Sequence, residues 1–190
     1  MSSHFYAMLS RMKNIYRWGL MRNSKQENLS EHSLEVAFIA HALAILRNRR
    51  FGGDINAEKV AIAAMFHDTS EIITGDMPTP IKYYNSDIKN VYKEIEHTAQ
   101  NRLTELLPED MRSDFYDIYN PDKETEKLVK AADKISALIK CIEEKNSGNR
   151  EFISAEKSTL ASIKEMNLPE ADMFLDEFLD SFTLTLDELK

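Results

Sequence analysis

His67 and Asp68 stand side by side at the end of the apolar run Ala63-Ala64-Met65-Phe66, and Glu71 follows three positions later. On a continuous helix, at about 100° per residue, the three side chains fall within about 100° of arc, with Glu71 between the other two. The same face carries Val60, Ala61, Ala63 and Ala64 upstream, so it turns into the protein or into a cleft. Isolated ionised groups are costly to bury, which favours partners or a metal. Two readings fit this spacing: metal ligation, or a hydrogen-bonded His–Asp pair at a helix end.

Adjacent residues on one helix cannot close a coordination sphere, so a metal needs ligands from elsewhere. His32, in the first turn of a second helix within SEHSLEVA, is the best source. His41 lies about 180° round that helix from His32, so the two cannot share one site. His97 lies opposite the stripe Ile88, Val91, Ile95, Ala99, Leu103, Leu106 and is read as solvent-exposed. His4 is near a terminus and carries no signal. A fourth ligand can come from Asp133 in KLVKAADKISALIKC. The main stripe of that helix is Leu128, Ala131, Ala132, Ile135, Leu138, Ile139 and Ile142. Asp133 points away from it, toward Val129, Ser136 and Ala137. By periodicity alone the simpler placement is in water beside Lys130 and Lys140; a helix packed on both faces is the alternative.

The elements that must position these residues all read at helical period, and no strand alternation is convincing. A first helix is expected from about His4 to Ile15, followed by an irregular basic stretch, YRWGLMRNSKQEN. A second begins near Ser30, a good N-cap, and runs to about Arg49. After the turn FGGD, Asn56 can cap a third helix reaching about Ile73. The loop GDMPTP breaks the chain, and Pro78 and Pro80 restrict Met77 and Thr79 to extended geometry. Further helices are expected over about Asp87–Leu107, over EDMRSDFYDIY, and over about Lys123–Lys145, stopping at NSGN. Two or three short ones fill Glu151–Lys190. With no linker and no internal repeat, residues 1–190 read as one all-α domain.

A chain of 190 residues with 43% hydrophobic content is long enough and apolar enough to fold around a core. Its net charge of −8 argues against sequence-independent nucleic-acid binding, though not against one small anion at a local positive site. The single cysteine, Cys141, allows no internal disulfide and fits a reducing compartment. The N-terminus lacks a signal-peptide layout, and the longest apolar run, Val36–Leu46, is too short to span a bilayer. The expected location is the cytoplasm.

The order His32, His67-Asp68, Asp133, in the contexts ENLSEHSLEVA, FHDTSEIITGDMPTP and KAADKISALIKCIEE, resembles the HD-domain metal-dependent phosphohydrolases. With YRWGLMRN upstream and SFTLTLDEL at the end, the chain resembles the bacterial 5′-deoxynucleotidases of that superfamily over nearly its whole length. The resemblance implies an all-helical fold, a divalent transition metal, a homodimer, and hydrolysis of deoxyribonucleoside 5′-monophosphates to deoxynucleoside and phosphate. It implies His32, His67, Asp68 and Asp133 as metal ligands, with Glu71 and Asp76 assisting the chemistry. It places the substrate against Arg17, Trp18, the ligands His32, Asp68 and Asp133, and the loop Asp76-Met77-Pro78-Thr79. Arg17 holds the phosphate in this scheme, and Trp18 sits against the deoxyribose and disfavours a 2′-hydroxyl.

Two imidazoles and two carboxylates suit one borderline divalent ion such as Co, Mn or Zn, and suit Mg less well. Glu71 and Asp76 both remain candidates for the general acid at the leaving oxygen. The other functions weighed are an HD phosphohydrolase acting on a dNTP or a signalling nucleotide, and a non-catalytic helical module. A triphosphate needs more cations than Arg17 and, at most, Lys82 offer, and a second metal needs further histidines between Asp68 and Asp133, where only His97 lies and faces the wrong way.

Overall fold

The computed structural model describes residues 2–82 and 84–190. The α-helices are α1 (Phe5–Leu9), α2 (Leu29–Phe51), α3 (Ala57–Phe66), α4 (Glu71–Thr74), α5 (Thr79–Lys82), α6 (Ser86–Glu105), α7 (Arg112–Tyr119), α8 (Lys123–Asn146), α9 (Ile153–Lys164) and α10 (Pro169–Phe178). Among the described residues there is no strand, only an isolated antiparallel bridge between Tyr16 and Asn28. The all-α expectation therefore holds. The chain divides into two compact units, one of Met1–Arg22, Gln26–Ser33 and Phe66–Pro121, the other of Asn23–Lys25, Leu34–Met65 and Asp122–Lys190.

The second unit holds the larger core. Val36, Ile39, Ala40 and Leu43 of α2 are buried with Val60 and Ala64 of α3, and with Leu128, Ala132, Ile135 and Leu138 of α8. The expected stripe of α8 is thus the buried one. Asp122 caps this helix by accepting from the Glu124 and Thr125 amides, and Gly148 ends it at φ 84°, where a side chain would be strained. In the first unit Phe5, Leu103, Leu107 and Phe115 form a smaller core. Phe115 takes the rings of Phe5 and Phe66 edge-on, at centroid distances of 5.0 and 5.7 Å.

Several expectations are corrected. The cap of α2 is Asn28, not Ser30: Asn28 Oδ1 accepts from the Ser30 and Glu31 amides, and Glu31 Oε2 accepts from the Asn28 amide. This reciprocal box satisfies the first orphan donors of the helix. The third helix does not reach Ile73 but stops at Phe66. Thr69 supplies the reason. Its Oγ1 donates to the Phe66 carbonyl at 2.8 Å, and the Thr69 and Glu71 amides bond three residues back rather than four, so His67–Ser70 is a turn before α4. Thr79 is not extended; it opens α5, because Pro80 in a first helical turn has no amide to lose and the Ile81 and Lys82 amides reach the Pro78 carbonyl. On α6 the buried residues are Tyr92, Ala99 and Leu103, while Val91 and Ile95 are exposed. Tyr92 turns the helix by reaching Thr74 with its hydroxyl and carrying the Lys82 ammonium 4.8 Å above its ring.

At 23 residues, α2 is long and apolar enough to cross a membrane by length and composition, which the shorter apolar run did not anticipate. Its most apolar window is 56% buried inside the protein, and it carries core residues along its length. Burial on this scale marks a core helix, which meets the same length and composition criteria.

Candidate metal centre

The Asn28 box fixes where α2 begins, and so places His32 in its first turn with a fully buried side chain. The end of α3 delivers His67 and Asp68 to the same point. His32 Nε2 lies 3.6 Å and His67 Nε2 3.1 Å from Asp68 Oδ2. One donor atom from each of the three residues lies within 4.8 Å of the other two. Ligand atoms about 2.1 Å from one ion sit about 3.0 Å apart along an octahedral edge and about 3.4 Å along a tetrahedral one. The spacing and the two-imidazole, one-carboxylate chemistry therefore fit a borderline divalent cation. Asp133 lies on α8 in the second unit and is half-buried, between the buried Val129 and Ser136 positions of its face. It is not a residue of a wholly solvated helix face.

Arg17 brings a positive charge to the same carboxylate. Its Nη1 donates to Asp68 Oδ2 at 3.3 Å. Burial opposes ionisation of Asp68, but the positive charge of His67, His32 and Arg17 outweighs it and holds the carboxyl well below the usual carboxylate range. Glu71 behaves in the opposite way. It is buried at the start of α4, and burial, reinforced by the negative charges of Asp68 and Asp76, pushes its pKa up to about 9. Its Oε2 is buried without a hydrogen-bond partner among the described residues. Asp76 is half-buried, and burial raises its pKa while Arg17 and the backbone amide of Trp18 pull it down.

Trp18 sits at φ 60°, a left-handed conformation that costs a bulky residue about 1–3 kcal/mol. The surrounding segment holds it there. The Arg17 amide donates to the Glu27 carbonyl and the Leu29 amide to the Ile15 carbonyl, forming the Tyr16–Asn28 bridge, and the Met21 amide closes a turn onto the Trp18 carbonyl. Met77 and Pro78 are half-buried and Thr79 is exposed. Lys82, the other cation considered, donates to Glu96 at 2.8 Å. His97 is exposed, as expected, and meets Asn101; His41 is exposed too.

Sequence reasoning missed Glu27. Its Oε1 lies 3.3 Å from His32 Nδ1, and its Oε2 accepts from Trp18 Nε1 at 2.9 Å. His32 and Arg17 hold its pKa below the usual value, against the burial that would raise it. Nothing in a lone carboxylate inside a basic stretch announces this; the signal is the Tyr16–Asn28 bridge, which pairs segments across an irregular loop.

The fold is that of solved HD-domain phosphohydrolases. An HD-domain phosphohydrolase from Listeria innocua superposes with a TM-score of 0.83 over 96% of this chain and 90% of its own, at 24% identity. A cyanophage S-2L HD phosphohydrolase, bound to dA and one catalytic Zn²⁺ ion, superposes with a TM-score of 0.67 over 95% of this chain and 96% of its own, at 21% identity. At the sequence level, residues 4–182 match the family described as 5′-deoxynucleotidase YfbR-like. A 5′-deoxynucleotidase of Vibrio vulnificus is 51% identical over 98% of both chains, and one of Yersinia pestis is 52% identical over 98% of this chain and 96% of its own. The chain belongs to the YfbR-like 5′-deoxynucleotidase family.

Proposed function

We propose that this protein is a metal-dependent 5′-deoxynucleotidase that hydrolyses deoxyribonucleoside 5′-monophosphates to deoxynucleoside and phosphate. The observation that carries the reading is the meeting of His32, His67 and Arg17 at one oxygen of Asp68. His32, His67 and Asp68 hold one divalent ion of the Co, Mn or Zn kind in this reading, with Asp133 proposed as the fourth protein ligand. When bound, the ion supplies a Lewis acid and a water of lowered pKa.

Arg17 presents a planar donor pair to the phosphate and balances charge on its equatorial oxygens. Glu71 is the proton donor to the leaving 5′-oxygen. Burial, with the negative charges of Asp68 and Asp76, pushes its pKa up to about 9 in the metal-free protein, and Oε2 is uncommitted among the described residues. Asp76 is better placed to hold the Arg17–Trp18 segment, since it accepts the Trp18 amide. Asp76, Met77, Pro78 and Thr79 line the nucleotide. The limited positive charge suits one phosphate rather than three, because Lys82 is engaged by Glu96.

Trp18 selects the sugar. An indole face pressed on C2′ removes water from a 2′-hydroxyl without returning a hydrogen bond, at a cost of about 1–3 kcal/mol. Trp18→Ala is therefore expected to lower the deoxy-to-ribo ratio of kcat/KM by about tenfold to a hundredfold. Parallel assays of dAMP and AMP read this directly, and an unchanged ratio removes Trp18 from the role.

The proposed setting is a cytoplasmic homodimer that binds neither nucleic-acid polymers nor membranes. Supporting it are the net charge of −8, the buried lone Cys141, and an exposed apolar stripe of Leu34, Phe38 and Ile45 along α2. The experiment that tests the function is a panel of ribo and deoxy 5′-monophosphates, assayed with Co²⁺, Mn²⁺, Zn²⁺ and Mg²⁺ after chelation. Phosphate release from the deoxy series, restored by transition metals and lost to chelator, is expected. Activity that survives complete chelation overturns the proposal.

A further inference from the structure

Glu27 joins two parts of the site that the proposed reaction treats separately. One carboxylate oxygen faces the ring nitrogen of His32 that is turned away from the ligand cluster, at 3.3 Å. The other accepts the indole N–H of Trp18 at 2.9 Å. The side chain is largely buried, at 12% exposure, so both contacts are made out of bulk water. The backbone of the same residue accepts from the Arg17 amide at 3.0 Å, which fixes the point from which the carboxylate projects.

A carboxylate on Nδ1–H fixes which imidazole tautomer is present and which way the ring points, and so aims the lone pair of Nε2. Nε2 of His32 is the atom that faces Asp68 Oδ2. An indole N–H bonded to the same carboxylate cannot turn its ring without giving up that bond. The ring belongs to a residue already held at φ 60°, so its orientation depends on side-chain tethering as well as on its backbone.

We infer that Glu27 is a positioning residue that couples the metal ligand His32 to the sugar-facing ring of Trp18, so that filling the metal site sets the geometry of sugar selection. The inference rests on the function proposed above. It makes Glu27 a determinant of the deoxy preference although it touches neither sugar nor metal. Because its two oxygens serve two donors, a single-acceptor replacement must abandon one of them.

Glu27→Gln is nearly isosteric and has one acceptor oxygen, so it separates coupling from packing. Trp18 is the only tryptophan, and its emission reports its surroundings with no background. In the wild-type protein freed of metal by chelation, adding Zn²⁺ is expected to shift Trp18 emission along a saturating curve. The midpoint of that curve should equal the dissociation constant measured by calorimetry. In Glu27→Gln the Zn²⁺ dissociation constant is expected to rise about 10-fold to 100-fold. The emission shift at saturating Zn²⁺ should disappear, and the deoxy-to-ribo ratio should fall about tenfold even with the metal site full. A purely structural role would lower activity on dAMP and AMP alike and leave that ratio in place.

Two results overturn the inference: a wild-type emission that ignores Zn²⁺, or a Glu27→Gln protein that keeps the metal affinity and the sugar ratio. The first is measured without any variant, so a poorly folding substitution does not shield the idea. If the wild-type protein fails to hydrolyse deoxynucleotides with any metal, the proposed function falls instead. Hydrolysis that is intact and deoxy-selective, with no effect of Glu27→Gln, sinks the coupling alone.

Discussion

Asp68→Ala is expected to abolish phosphate release while leaving the helices in place. Asp68 Oδ2 is approached by His32, His67 and Arg17 together, at 3.6, 3.1 and 3.3 Å. Removing it deletes a proposed metal donor, takes away the carboxylate that Arg17 meets, and leaves two imidazoles that alone would hold a divalent ion weakly. A loss in kcat/KM of at least about 10³-fold is expected, equivalent to about 4 kcal/mol of transition-state stabilisation. Helix content should be unchanged, because Asp68 lies beyond the end of α3 and only its backbone carbonyl bonds the Glu71 amide. Circular dichroism and a phosphate assay read the two halves. Asp68→Asn keeps the shape, loses the charge, and should fall nearly as far. Full activity in either variant refutes the metal assignment.

What the sequence disclosed and what it hid follow from range. His32, His67 and Asp68 were legible because each is polar, chemically apt and set on an apolar helical face, and the structure brings the three within ligand distance of one another. The α8 stripe was legible for the same periodic reason. The errors sit where one side chain overrides a period. Thr69 ends α3 by bonding the Phe66 carbonyl, so Glu71 begins a new short helix instead of continuing the old one. Tyr92 rotates the packed face of α6 by answering to Thr74 and Lys82, neither of which lies on that helix. Glu27 stayed invisible because its role depends on an antiparallel bridge closing an irregular loop, a contact that no helical period encodes.

The break after Phe66 has chemical weight. A continuous helix would have kept Glu71 on the arc of His67 and Asp68, as one more carboxylate in line with the ligands. The turn instead starts α4 with Glu71 buried among negative neighbours, at the cost of an elevated pKa. The proposed acid and the proposed ligand are thereby set apart by environment: the carboxyl of Asp68 is held ionised beside His67, His32 and Arg17, while that of Glu71 keeps its proton in the metal-free protein.

Glu71→Gln tests that division. Gln preserves volume and hydrogen bonding but cannot deliver a proton, so kcat on a deoxynucleotide should fall about 100-fold to 10,000-fold with KM little changed. The loss should shrink on p-nitrophenyl phosphate, whose leaving group departs as a stable anion and needs no proton. A metal-affinity defect would instead affect both substrates equally. Stability supplies an independent reading in the metal-free protein. An unfolded Glu ionises near its ordinary pKa of 4.5, whereas Glu71 in the fold keeps its proton up to about 9. Between those values the folded state binds more protons than the unfolded one, so the wild-type protein loses stability as pH rises through that window. Gln carries no such penalty. Relative to wild type, Glu71→Gln should be more stable by about 5 kcal/mol at pH near 8 and equal at pH near 4. Denaturant titrations at the two pH values measure the difference. A variant that is inactive yet gains nothing at the higher pH would place Glu71 among the ionised carboxylates, and the proton for the leaving oxygen would then have to come from Asp76.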